Sequence, residues 1–541
     1  MTGRARRVVI ALVALLALAA LAGCGRNASA GVSNPTLAAG TTAAKGPTGT
    51  VTWALYRDVN SLDPAHAFDY PENTVIASMC DALQRQEPDG AIGPGLAKLT
   101  YRTPTEIVLA LHPGVRFWDG RPLTSADVVY SLKRQTSPQV AGFYGTVFDR
   151  VKSIRAVGQL KVEIALRRPD YWLAGELSAM PGVIIEKHYA EQQGRAYGTP
   201  SGGAMCTGPF ELKQWKPGAE VDVVANRHYW DPALRPLASE IRFEGISDTA
   251  ALTAALRTGA IDGTYLTDTS NLAELRTLTN VRVYDGPSFD TDYFIVSDLK
   301  GVLGDVRVRR ALSLAFNRTG YIDTVYDGAA QIPRLSVNPG TWGFARGAFR
   351  RAWDRQPIPH QNLAAARRLI RAAGANGKTI VIATCSGLAS VATEANAWQA
   401  AAQSIGLDAQ LHNVSPEDYI ALFTDPGARK GIDAFSTTTY GDYADPAALD
   451  ATYAIPHQSQ NFSGYSNPRI TDMLDSARAE ANPRRRAELD VAAERLIMRD
   501  LPWIPVADPD TLLVLNRRLT GAPSSFAYMQ APWLARLGAA G

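Results

Sequence analysis

Residues 111–129 read LHPGVRFWDGRPLTSADVV, and the reading of this stretch decides the fold. It begins where the alternating run 106–111 (EIVLAL) ends, a pattern that predicts a half-buried strand. Asp119-Gly120 marks a tight turn in which Gly supplies the positive φ. Thr124 or Ser125 can cap a helix over 123–134, with Asp127 in its first turn, where a carboxylate complements the helix dipole. The same alternation of strand, turn and helix extends outward. Upstream, 51–55 reads as a short strand, Ser61-Leu62-Asp63-Pro64 as a turn and 73–83 as a helix. Downstream, 162–166 reads as a strand and 249–257 as a helix that Gly259 closes. Helices over 305–316, 362–373, 394–405, 467–481 and 483–499 are interleaved with strands over 379–383 and 408–412. Asn467-Pro468 and Asn482-Pro483 each read as an N-cap followed by Pro at the first helical position. Strands alternating with helices predict the α/β class.

The N-terminus is of a different kind. Arg4, Arg6 and Arg7 precede an unbroken apolar run over 8–22 that leads into Gly23-Cys24. The run is shorter than the ~20 residues of a membrane-spanning helix and has the layout of a secretory signal, so 1–23 is expected to be removed. The small residues before Cys24 resemble the lipobox of bacterial lipoproteins, whose cysteine is diacylated and becomes the new N-terminus. Residues 25–49 are rich in Ala, Gly, Thr, Ser and Pro without an apolar period, and read with Cys24 as a lipidated, flexible tether over 24–49. The expected location is extracytoplasmic, lipid-anchored to the outer face of the cell membrane.

The 541 residues suffice for two or three domains. The formal charge of +3 contains the three N-terminal arginines, so the exported chain is about neutral and predicts no nucleic-acid partner. Enzyme signatures such as H-E-x-x-H and G-x-S-x-G are absent. Residues 374–379 (GANGKT) have two residues between their glycines where a P-loop needs four, and they precede a strand; they read as a helix-to-strand turn. The 7 histidines are scattered, and the 4 cysteines form no CxxC or Cys/His pairing. The expectation is a chain that is not an enzyme, with no cofactor and no metal site.

A set of separated blocks resembles family 5 of the extracytoplasmic solute-binding proteins, the peptide- and nickel-binding components of ABC importers. The blocks are 61–64 (SLDP), 89–90 (DG) with 94–97 (PGLA), 111–129, 207–210 (TGPF) with 226–230 (NRHYW), 305–312 (DVRVRRAL), 441–446 (GDYADP), 465–468 (YSNP) and 502–505 (PWIP), in that order across about residues 50–510. The resemblance implies a two-lobed periplasmic-binding-protein fold, α/β, closing on a ligand between its lobes. Lobe I is expected over 50–286 plus 503–541, with an extra inserted subdomain near 91–204, and lobe II over 287–502. It further implies a monomer that captures peptides and delivers them to membrane permease subunits with cytoplasmic ATPases. Cys80 and Cys206 fall in the same lobe and are a candidate disulfide, which leaves Cys385 free.

In peptide-binding members, the first Asp of a D-x-x-[DE]-P stretch pairs with the peptide α-ammonium. Here the stretch is 442–446, so the resemblance gives that role to Asp442, flanked by Gly441, while Asp445 reads as a helix cap. Many members carry a Trp three residues before that Asp; this chain has Thr439, and Tyr440 or Tyr443 is the candidate replacement wall. Tyr56 and Asn60, after the first strand, and Trp342, in the loop 338–344, are further candidates. Dipeptide-binding members place an Arg for the peptide carboxylate in a lobe II loop that corresponds here to 384–387, with Thr384 and Ser386 and no basic residue. That favours oligopeptides longer than dipeptides, or another ligand of the same scaffold such as haem, a nickel chelate or another small solute. An exported hydrolase or a surface sensor domain is the reading from a different class.

Overall fold

Three sheets, each with its own apolar core, organise the chain. The computed structural model describes residues 37–541; the expected signal 1–23, the lipidation site Cys24 and the tether as far as 36 lie outside the described residues. A seven-stranded sheet is built on Thr48–Leu55, which lies between Ala238–Gly245 and Gly263–Leu266 and runs parallel to both. Trp53 is 1% exposed because its ring covers the sheet where Gly263 sits: a Cβ there would meet the indole at 2.5 Å. Phe243, Leu513 and Trp533 complete this core.

A six-stranded sheet is centred on Thr291–Val296, buried along its whole length between the antiparallel strands Ala434–Thr439 and Trp503–Pro509. A strand covered on both faces has no polar side to alternate with, and TDYFIV shows none apart from Asp292. Thr379–Thr384 and Asp408–Asn413 are parallel neighbours joined by the crossover helix Ala389–Ser404, whose Trp398 stacks on Phe294 at 4.3 Å. The third sheet is antiparallel, of four strands, and includes Glu106–Leu111 and Lys161–Leu166. It packs on Ser125–Arg134, whose N-cap Thr124 and Asp127 form a capping box, and Val128 and Leu132 are wholly buried there.

The chain passes twice between the two large sheets. The first crossing runs from Val281–Gly286 to Thr291–Val296. The second is at Asp510, between Trp503–Pro509 in the six-stranded sheet and Thr511–Asn516 in the seven-stranded one. It was expected at residue 503. The run 503–509 instead stays in the six-stranded sheet, because its apolar side chains complete the cover of Phe294 and Ile295. The expected tether is also shorter. Gly40 and Gly46 bridge to Pro523 and Ala539, the Thr41 hydroxyl donates to the Ala522 carbonyl at 2.8 Å, and the strand starts at Thr48. Backbone pairing with the C-terminal segment orders these residues without any apolar period, which is why composition alone reads them as tether.

Cys80 and Cys206 are joined as a disulfide with Cα atoms 4.9 Å apart, and Cys385 is a buried free thiol. The bridge ties the helix Tyr70–Met79 to the segment that leaves the four-stranded region. That helix is capped by Asp69 and ends earlier than the expected 83, because the chain turns at Cys80 into the short strand Gln84–Gln86.

Candidate functional site

The strand Ala434–Thr439 ends on the loop 440–444, and this loop meets elements from both other sheets. Tyr440 packs between Tyr70, at 5.1 Å, and Phe526, at 4.9 Å, and its hydroxyl donates to the Phe68 carbonyl at 2.9 Å. Tyr443 packs on Gly175 of the four-stranded region, where a Cβ would come within 2.2 Å of the ring. Only glycine allows that approach. Gly441 is buried beneath the loop, and Gly343 donates its N–H to the Ala444 carbonyl at 3.2 Å.

Asp442 sits at the middle of this junction and is half-buried. Its main-chain carbonyl accepts from Gln86 Nε2 at 2.7 Å, and its Oδ1 accepts from Gln530 Nε2 at 3.1 Å. Both partners belong to other elements, Gln84–Gln86 and the turn after Phe526–Met529. Carbonyl and carboxylate oxygens only accept, so each glutamine must turn its NH2 toward Asp442. That leaves Gln86 Oε1 and Gln530 Oε1 as buried acceptors without a protein partner, together with the Tyr443 hydroxyl. Among the described residues no cation pairs with the carboxylate, and burial pushes its pKa up to about 7. Glu176, at the end of the helix Leu173–Glu176, has a pKa well above the carboxylate range, first through burial and then through the charge of Asp442.

The other expected residues have different surroundings. Asp445 caps Pro446–Ala454 by accepting from the Ala447 N–H at 3.1 Å. The Tyr56 hydroxyl donates to Asp69 and its ring meets Tyr70 edge-on at 6.3 Å, which places it at the margin of the aromatic group. Asn60 is exposed, and its main-chain N–H donates to Glu72 Oε1 at 2.7 Å. Trp342 is 4% exposed and packs on Phe349 and Trp353, and its indole N–H is buried without a protein partner. Thr384 is buried at the end of its strand and Ser386 is exposed, its N–H donating to Asn413 Oδ1 at 2.9 Å. They lie at the same end of the six-stranded sheet as the loop 440–444 because strands 379–384 and 434–439 run parallel.

Charged contacts close the junction at its rim. Arg478 of the helix Pro468–Arg478 pairs with Asp170 at 2.6 Å and Asp149 at 2.7 Å, and Arg150 pairs with Asp475 of that helix at 2.6 Å. These pairs join the four-stranded region to the helices that cover the six-stranded sheet.

The sequence profile of the bacterial extracellular solute-binding proteins, family 5 (middle region), matches residues 92–460. The chain belongs to this family. Of its curated relatives, the family 5 protein is 27% identical over 494 residues to the periplasmic murein peptide-binding protein MppA of Escherichia coli K12, covering 86% of this chain and 88% of MppA. Its fold is that of DppA from Helicobacter pylori, an ABC transporter-associated periplasmic binding protein solved with the peptide STSA: TM-score 0.79, 22% identity, 91% of this chain and 98% of that one. The oligopeptide-binding protein AppA of Bacillus subtilis, solved with a nonapeptide, gives a TM-score of 0.78 at 18% identity, over 92% of this chain and 100% of AppA. The two-lobed α/β fold is therefore common to them.

Gln86, Gln530 and Glu176 surround the candidate Asp442, and sequence reasoning named none of them. Each comes from a different segment with no motif around it, and only the fold brings them to Asp442.

Proposed function

We propose that this family 5 protein is the peptide receptor of an ABC importer, capturing oligopeptides longer than dipeptides between two lobes and delivering them to a permease with cytoplasmic ATPases. The observation that carries the reading is Asp442: a desolvated carboxylate with no cation, beside two glutamine oxygens that have no donor. A peptide α-ammonium supplies one positive charge and three N–H donors, which is what this set lacks. Burying that ammonium without a carboxylate would cost several kcal/mol. The absence of any basic residue in 384–387 favours ligands whose C-terminus is not clamped there. The peptides seen in the DppA and AppA structures support the same class. The lobes would hinge at 287–290 and Asp510, the two crossings between sheets. The protein would act as a monomer, without chemistry, outside the cytoplasm.

Native mass spectrometry of the purified protein tests this first. A ladder of excess masses that releases peptides of a few residues on denaturation is expected. One discrete mass, such as haem or a metal chelate, would replace the peptide reading with a dedicated small solute. The anchor is tested separately: Cys24→Ala should move the protein from the membrane fraction to the soluble one, and a variant that stays with the membrane would rule out the lipobox reading.

A further inference from the structure

We propose that Arg478 and Asp475, on the helix Pro468–Arg478, latch the two lobes in their closed arrangement, and that this latch supplies a share of closure that does not depend on a bound ligand. The inference goes beyond the peptide reading, because it stands on the ion pairs between the lobes and not on what the cleft holds.

The two passages between the large sheets, 287–290 and Asp510, divide the chain into 37–286 with 511–541 on one side and 291–509 on the other. Among the described residues, the ion pairs that cross between these parts gather at one place: Asp170 and Asp149 on Arg478, and Arg150 and Arg168 on Asp475. The exception, Arg276 with Asp327, is exposed.

The Arg478 guanidinium holds Asp170 through two bonds, Nε to Oδ1 at 3.0 Å and Nη2 to Oδ2 at 2.6 Å, and Nη2 also reaches Asp149 Oδ1 at 2.7 Å. A planar fork on a carboxylate is a geometry that lysine cannot copy. The Arg478 Cζ lies 5.6 Å from the centre of the Trp172 ring, which is 5% exposed and packs in the same core as Tyr443 and Trp503. The main chain joins as well: the Tyr171 N–H donates to the Arg478 carbonyl at 2.8 Å. Arg150 is 3% exposed and donates to the Pro169 carbonyl at 2.7 Å and to Asp475 Oδ1 at 2.6 Å.

Two buried charges decide the sign. Asp170 is wholly buried, and among the described residues Arg478 is the cation that pairs with it; Asp475 is the carboxylate that pairs with Arg150. Removing one partner leaves a buried charge uncompensated in the closed form, whereas in the open form water takes the place of the lost partner. A change that penalises one state and spares the other shifts the balance between them.

The test uses the ligand-free protein and compares wild type, Arg478→Met, Arg478→Lys and Asp475→Asn by hydrogen exchange and small-angle X-ray scattering. Arg478→Met should speed exchange about tenfold or more in both 170–176 and 440–444, which face each other across the junction, and enlarge the radius of gyration, while the strand 291–296 stays protected. Arg478→Lys should fall between, since it restores the charge without the fork. Asp475→Asn, at a half-buried position, should act in the same direction as Arg478→Met. Equal scattering and equal exchange in wild type and variants would overturn the latch. Faster exchange confined to 468–478 would overturn it too, because the pairs would then only hold their own helix in place. If Arg478→Met also loses protection in 291–296, it has misfolded and Asp475→Asn decides. Peptide binding enters none of these readouts, so failure of the latch and failure of the peptide reading are told apart.

Discussion

Asp442→Ala should weaken peptide binding by ~3 kcal/mol, on the order of a hundredfold in Kd, measured by calorimetry at pH 7.5. The size follows from what the substitution leaves behind. A peptide ammonium enclosed by the loop 440–444, Gln86 and Gln530 would keep its amide acceptors but lose its counter-charge, and breaking one side of a buried ion pair typically costs about 3–5 kcal/mol. Part of that attraction already goes into ionising Asp442. With a pKa of about 7, the penalty is a fraction of a kcal/mol at pH 7.5, too small to change the outcome. Asp442→Asn is the cleaner companion, because an amide oxygen can keep the bond from Gln530 while the charge is removed. It should lose nearly as much. If both variants bind as tightly as the wild type, Asp442 is a structural residue that positions the loop and the ammonium is held elsewhere.

The local structure of this chain was legible wherever one residue fixes one backbone group. Thr124 and Asp127, Asp305, Asn467-Pro468, Asn482-Pro483 and Gly259 mark helix ends within a few residues of where they fall, because caps act over a single turn. Features made by distant backbone pairing were not legible. The strap over 38–49 depends on the C-terminal segment, and the second crossing depends on which sheet receives 503–509. The site divides along the same line. Asp442 is a candidate from sequence because its motif is local, with Asp445 and Pro446 starting a helix directly behind it. Gln86, Glu176 and Gln530 come from three separate segments, and nothing in the local sequence around them announces that they converge. Trp342 packs its apolar area against Phe349 and Trp353, a contact that its Gly/Pro-rich loop does not announce.

Affinity for a peptide with a free amino terminus should be highest between about pH 7 and 8 and fall roughly tenfold per unit below 7, reaching a hundredfold loss near pH 5. The pKa of Asp442 is raised to about 7, so acidification protonates it and removes the ion pair, with one proton per order of magnitude. Above pH 8 the peptide α-amino group, with a pKa of about 7.7–8.0, loses its own charge. Global unfolding in acid would also abolish binding, but it predicts the opposite change in the ligand-free protein. Asp290, Asp442, Asp450 and Asp510 all have pKa values raised to about 7 by burial. Unfolded carboxyls titrate near 4, so these groups destabilise the fold increasingly as pH rises from about 4 through 7. Asp63 and Asp500 are shifted the other way, and their contribution is lost only below about pH 4. The thermal midpoint of the ligand-free protein should therefore rise between pH 8 and pH 5 while peptide affinity falls. Scanning calorimetry and binding titrations on the same buffers separate the two: affinity and midpoint falling together would mean that acid unfolds the lobes, and opposite slopes would assign the loss of binding to the Asp442 carboxylate.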